Sequence, residues 1–236
     1  MTVTPFDLET LALWREPLEA ASEAFPVPEL SGWSLSGFDP AALVLATEGV
    51  QLAPAVKLIT YVLRTGGGGV GVTWGLPAAA PVPPAEDCPI GAPPPWSWPS
   101  VDRVPRPPSL LAHPHEVVHL TAHTPENAVR ASLLVRAWGE LGAYRHGRAW
   151  SDHAILAALP TDDDSPAPEA WRWATQPPAE LHPHVEATPD GALHVRFYSV
   201  SGYGGWQIYE HHDHWHPHYT RIGIGRVAQA PGGWNG

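Results

Sequence analysis

The run HHDHWHPH at residues 211–218 places five histidines and one aspartate within eight positions. Imidazole nitrogens are natural donors to zinc, nickel or copper, and two or three of them on one side of a backbone can hold such an ion. A nearby carboxylate can act as a further ligand or orient a ligating ring. Side chains of an extended segment alternate between faces, so His212, His214, His216 and His218 share one side while His211, Asp213 and Trp215 share the other. A turn within DHWHP would instead make His212 and His218 neighbours across a hairpin. Both geometries keep His212 and His218 in the candidate site, with His214 and His216 next and Asp213 as ligand or orienting group.

The tripeptide HPH occurs three times, at 113–115, 182–184 and 216–218. Proline biases the residue before it to an extended backbone, so the flanking imidazoles tend to project to the same side. A histidine from a neighbouring strand, His184 or His194, would complete a metal set. The expected cofactor is zinc or another divalent transition metal. The same residues also suit a polar turn, packed among Tyr209, Trp215 and Tyr219.

A bound metal would activate a water, with Glu210 or Asp213 as base, which gives a metal-dependent hydrolase or lyase as the alternative function. Without metal, His153 beside Asp152, or His119 with His123, are the acid–base candidates. No serine or cysteine sits in a recognisable nucleophile motif, and no HExxH helix is present. Cys88, the single cysteine, lies in the acidic stretch EDCPIG and offers neither an internal disulfide nor a thiolate cluster. The favoured reading is a soluble, non-enzymatic binding or scaffold protein with a histidine-rich, divalent-metal-binding loop.

Charge narrows the partners. Thirteen basic residues stand against 24 acidic ones, a formal net charge of −11, and no lysine or arginine block appears. A nucleic acid or an anionic membrane surface is therefore disfavoured, whereas a small ligand or a protein partner is compatible, in any oligomeric state. Protonating all 14 histidines would move the charge from −11 to +3, so the electrostatic character can change between about pH 7.5 and 5.5. The stretch RTGGGGVGV lacks the lysine and hydroxyl residue of a phosphate loop, and no nucleotide cofactor is indicated. No stretch approaches the length of an apolar membrane span, and the N-terminal segment lacks a basic, apolar leader pattern; the cytoplasm is the expected location.

These residues must be positioned by a backbone rich in turns, since 29 prolines and 22 glycines exclude long helical bundles. Leu8, Leu11, Trp14 and Leu18 predict an N-terminal helix capped by Asp7, which Pro17 should end or kink. Strands are predicted at 41–46, 55–64 and 69–76, the last two flanking TGGGG as a hairpin. Thr124 and Pro125 open a helix whose stripe is Ala131, Leu134, Val135, Trp138 and Leu141, with Gly142 at its end. A second helical fragment is predicted over SDHAILAAL, capped by Ser151. In GALHVRFYSV, Leu193, Val195 and Phe197 oppose His194, Arg196 and Tyr198, and further strands follow to 227. The fold class is α+β, mostly antiparallel sheet with a few covering helices. The chain reads as a single domain over 1–236 with a proline-rich loop at 77–109, packed or serving as a linker; the alternative is two lobes, 1–76 and 110–236.

Overall fold

The computed structural model describes residues 1–26, 32–65, 68–87, 112–141, 150–161, 165–202 and 205–233. In chain order the elements are β1 (Thr2–Pro5), α1 (Leu8–Glu23), β2 (Gly32–Leu35), α2 (Ala41–Leu45), β3 (Val50–Leu52), β4 (Val56–Thr65), β5 (Gly68–Pro77), β6 (Val118–Leu120), α3 (Pro125–Glu140), β7 (Ala154–Leu156), β8 (Arg172–Trp173), β9 (His184–Ala187), β10 (Leu193–Ser201), β11 (Trp206–His216), β12 (Tyr219–Arg221) and β13 (Ile224–Ala230). All strand pairings among them are antiparallel. Sheet dominates, as the sequence leads one to expect.

The large sheet runs β1-β9-β10-β11-β13-β8. Two long central strands share their outer edges between partners: β9 and then β7 line one edge of β10, while β13 and then β12 line one edge of β11. Backbone donors and acceptors along β10 and β11 are thereby used on both sides, which fixes their register. Smaller sheets, β2-β4-β5 and β3-β6, complete the fold.

The alternation in GALHVRFYSV has the predicted effect. Leu193, Val195 and Phe197 are buried beneath α3, while His194 and Arg196 lie half-exposed on the opposite face. Helix α3 packs on β9 and β10 and also on β5, and it touches α1. Its predicted stripe is buried, but so are Val129, Ser132, Leu133 and Arg136, so the helix is a central element and not an amphipathic cover. Thr124 caps it by accepting from the Asn127 amide, an interaction of about 1 kcal/mol in typical helices. Gly142, the predicted stop, lies outside the described residues.

Three local expectations are corrected. Of the two effects expected of Pro17, an end of the helix is not seen, since α1 continues through it: the hydrogen bond that proline cannot make would fall on the Leu13 carbonyl, and Leu13 is 61% exposed, so water can take its place. Residues 41–45 are helix, not strand. Such a short apolar run has no decisive period, and here Asp39 accepts from the Ala41 amide at 2.9 Å while Leu43 and Val44 are buried. Finally, SDHAILAAL is not a helix: a 3₁₀ turn at Trp150–Asp152 runs into its start and β7 follows, because residues 154–156 find an open edge of β10.

The β4–β5 hairpin is as predicted, with Leu58, Ile59, Thr60, Tyr61 and Val62 all buried, so both faces are covered. Its turn residues 66–67 lie outside the described residues, as do 88–111, including Trp96 and Trp98. The beginning of the proline-rich segment packs back on this hairpin: Lys57 Nζ donates to the Ala80 carbonyl at 2.7 Å, and Ala80, Val82 and Ala85 pack against Ile59, Tyr61, Trp74 and Leu76.

The main core cluster draws residues from both sides of that segment, joining Val44 and Leu58 to Leu133, Val185 and Phe197. Chemical denaturation is accordingly expected to give one cooperative transition, with tryptophan fluorescence and far-ultraviolet circular dichroism coinciding. Two separated transitions would mean independent lobes.

Candidate functional site: two faces of one histidine strand

Strand β11 separates the histidine run into two chemical environments. His211, Asp213 and Trp215 point to α3 and are essentially inaccessible, whereas His212, His214 and His216 point away from it. The chain stays extended to His216 and then turns at 217–218, so His218 belongs to the turn and the cross-hairpin pairs are His214↔Arg221 and His216↔Tyr219.

The buried side is a closed polar network. Ser132 and Arg136, one helical turn apart on α3, both reach β11: Trp215 Nε1 donates to Ser132 Oγ at 2.9 Å, and Arg136 grips the Asp213 carboxylate through both terminal nitrogens. Arg136 also donates to the carbonyls of Ser132 and Gly223 and, through Nε, to His211 Nδ1 at 3.1 Å. All five guanidinium N–H groups therefore have acceptors. Gly223 is needed for this approach, since a Cβ there would stand 2.8 Å from the His212 carbonyl oxygen.

The guanidinium fixes the direction of the remaining bonds. Arginine cannot accept, so His211 Nδ1 carries the lone pair and its proton sits on Nε2. His211 Nε2 then donates to Ser199 Oγ at 2.8 Å, and the Ser199 hydroxyl donates to His153 Nδ1 at 2.9 Å. Burial, reinforced by Arg15, holds His153 at a pKa of about 4. Burial followed by Arg136, His153 and Arg15 pushes His211 well below its usual value. Serine beside histidine suggests a nucleophile, but Ser199, His211 and Asp213 are 0% exposed, and a substrate would have to breach the core to reach them. Their chemistry is structural: they hold α3 and the 150–153 turn to the sheet.

The outward side is an imidazole-bearing sheet surface. His194 lies directly opposite His214 in the β10–β11 ladder, with ring centroids 4.2 Å apart, and His212 is 5.8 Å from His194. Burial and then Arg196 lower the pKa of His212; burial, then His194 and His216, lower that of His214. Arg196 lies opposite His212 and is paired with Glu210 at 3.4 Å. Glu210 also accepts from Tyr198 at 3.2 Å; burial, and then Glu210, raise the Tyr198 pKa to about 12. The sequence-derived base Glu210 is thus already engaged.

The predicted metal residues separate as follows. His194, His212 and His214 form one neighbourhood. His216 stacks on Tyr219 at 4.6 Å and approaches His218 at 5.3 Å, which extends the group toward the turn. His184 is on the same face but opposite Arg196, so that arginine stands between it and His212. Asp213 is the correction: it lies on the far side of the strand, bound to Arg136, and cannot join the imidazoles. Among the described residues, no three His, Cys, Asp or Glu side chains are arranged to hold a metal ion.

No protein-family model, curated protein or solved structure matches this chain. Its chemistry therefore rests on its own residues. Two of the three HPH copies do bring their rings together, 216/218 as above and 113/115 at 5.3 Å and nearly parallel, but the latter pair is buried near Trp74. Of the other acid–base candidates, His123 bonds the Gly191 carbonyl at 2.6 Å and His119 lies in β6, far along the chain from the histidine strand and in a different sheet.

Sequence reasoning missed the network of Arg136, Ser132, Ser199, His153 and His211. A signal was present: an arginine within the apolar run of a helix, and an aspartate on the same strand face as Trp215, are charges that burial would force to pair.

Proposed function

We propose that this chain is a non-enzymatic binding protein whose ligand surface is the outer, imidazole-bearing face of its large sheet, and that it holds a divalent transition metal there. His194 and His214 supply the first two donors and His212 the third. The observation that carries this reading is the direct cross-strand position of His194 and His214. Residues so opposed have Cβ atoms only about 5 Å apart, and rotation of the two rings can aim both at one ion without moving backbone. Imidazoles select zinc, nickel or copper over hard cations. The lowered pKa values of His212 and His214 favour the reading as well, because only a neutral ring offers its lone pair to metal.

Binding is preferred to catalysis because the sequence-derived base, Glu210, is occupied by Arg196 and Tyr198. The lack of a basic block and the acidic balance keep nucleic acid and anionic membrane off the partner list. Among the described residues no helix is long and apolar enough to cross a membrane, and the cytoplasm is the proposed location.

The test is calorimetric titration of zinc and nickel into tag-free, metal-stripped protein at pH 7.5. About one equivalent should bind, and His194→Ala or His214→Ala should each weaken binding by at least roughly tenfold, the lower end of what even outer-shell changes produce at metal sites. His119→Ala should leave it unchanged. Equal affinity in all variants would remove the metal reading. A hydrolytic activity that tracks the bound metal would instead favour the metal-dependent hydrolase or lyase.

A further inference from the structure

At the opposite end of β11 from the histidine turn, on the side that faces α3 but beyond the helix, the sheet carries a shallow depression of about 350 Å³. Gln207, Gln229 and Arg172 form a row across β11, β13 and β8, each directly opposite the next. Arg226 joins them through an irregularity in the ladder. Ile208 pairs with Ala228 but Tyr209 pairs with Arg226, so Val227 is an extra residue in β13. Without it, positions 226 and 229, an odd number apart, would face opposite sides of the sheet; the bulge puts both on the same side.

We propose that this depression binds a small molecule bearing an oxyanion, a carboxylate or a phosphate. Both guanidiniums line it, and among the described residues no acidic one does. Among the described arginines, every other one has a carboxylate, carbonyl or aromatic partner or another polar contact, whereas Arg172 and Arg226 have none. In a chain with 13 basic and 24 acidic residues, two such groups in one acid-free hollow run against the overall balance.

The amides make the site richer in donors. Tyr209 donates to Gln207 Oε1 at 2.7 Å, which occupies the acceptor end of that amide and leaves its NH₂ for a ligand. Gln229, beside Arg172, has no side-chain partner among the described residues and can turn its own NH₂ inward. Planar guanidinium groups match carboxylate and phosphate oxygens in pairs.

This proposal is independent of the metal reading, since the two sites lie on opposite faces and at opposite ends of β11. Inorganic phosphate and succinate, titrated separately into the tag-free protein at low ionic strength with EDTA present, distinguish the two oxyanions. One or both should bind with saturation, and Arg172→Gln and Arg226→Gln should each weaken that association by about tenfold, the effect of losing one hydrogen bond to a charged group. Arg64→Gln, in the separate β2-β4-β5 sheet, should leave it unchanged. Both site arginines are exposed, so circular dichroism should show native folding in each variant. Absence of saturable binding of either probe up to about 10 mM, or equal losses in the site and Arg64 variants, would overturn the proposal.

Discussion

Replacing Asp213 by asparagine is expected to lower the free energy of unfolding by about 3–5 kcal/mol, the usual cost of removing one member of a buried ion pair. The substitution preserves shape, so packing changes little. What changes is that Arg136, 4% exposed, keeps its charge without a counterion, and half of the new amide presents N–H to N–H. Asp213 Oδ1 also accepts from the Gly223 amide at 3.2 Å, so the approach of the 223 segment to β11 is weakened too. Since small domains are stable by only about 5–15 kcal/mol, the variant should unfold at markedly lower denaturant concentration. A double-mutant cycle with Arg136→Met separates the pair from the rest of the network: strong coupling is expected, and additive effects would show that the two charges do not stabilise each other. A change below about 0.5 kcal/mol in Asp213→Asn would place the carboxylate in water, contrary to the fold described above.

The second large effect is on pH. His153 is buried and its pKa is about 4, against 6.5 for the free side chain. The unfolded chain therefore takes up its proton first. Stability conferred by the neutral ring is complete above the unfolded value, falls as pH drops below about 6.5, and is lost by about pH 4, a total near 3 kcal/mol. Roughly 1 kcal/mol of this should appear between pH 7 and 5.5, where few carboxylates titrate. Burial explains the sign and Arg15 reinforces it; around the ring, Ser199 donates to Nδ1, and His211, itself neutral, follows through Ser199. Asp152, whose carboxyl is raised by partial burial, acts in the opposite sense at lower pH. Denaturant unfolding across this range in EDTA, with His153→Gln as comparison, measures the effect. The glutamine carbonyl can still accept from Ser199 but does not titrate, so its curve should be flatter; superimposable curves would exclude His153 as the source.

Both expectations depend on pairings that local sequence could not supply. Alternation along GALHVRFYSV and HHDHWHPH separates His194 and Arg196 from Val195 and Phe197, and His212 and His214 from His211 and Asp213, because the side-chain period of a strand is fixed by its backbone. Capping by Asp7 and Thr124 is equally local, a side-chain oxygen meeting an amide three residues on. Short segments with ambiguous signals were decided elsewhere. Residues 154–156 became β7 because β10 offers an edge, and 41–45 became α2 because Asp39 accepts from the Ala41 amide and a core site was available.

The sequence by itself determined the antiparallel character, the strand faces and the presence of an unusual density of imidazole. Tertiary structure alone decided what those imidazoles meet. It brought Arg136, 75 residues from His211, beneath β11, where a buried charge must be paired, and so assigned Asp213 to the core and not to a metal. It also set His194 opposite His214, since register depends on how two distant strands pair, and used one extra residue in β13 to turn Arg226 toward Arg172. Local preferences act over a few residues and can choose a face; only long-range pairing chooses the neighbour across it.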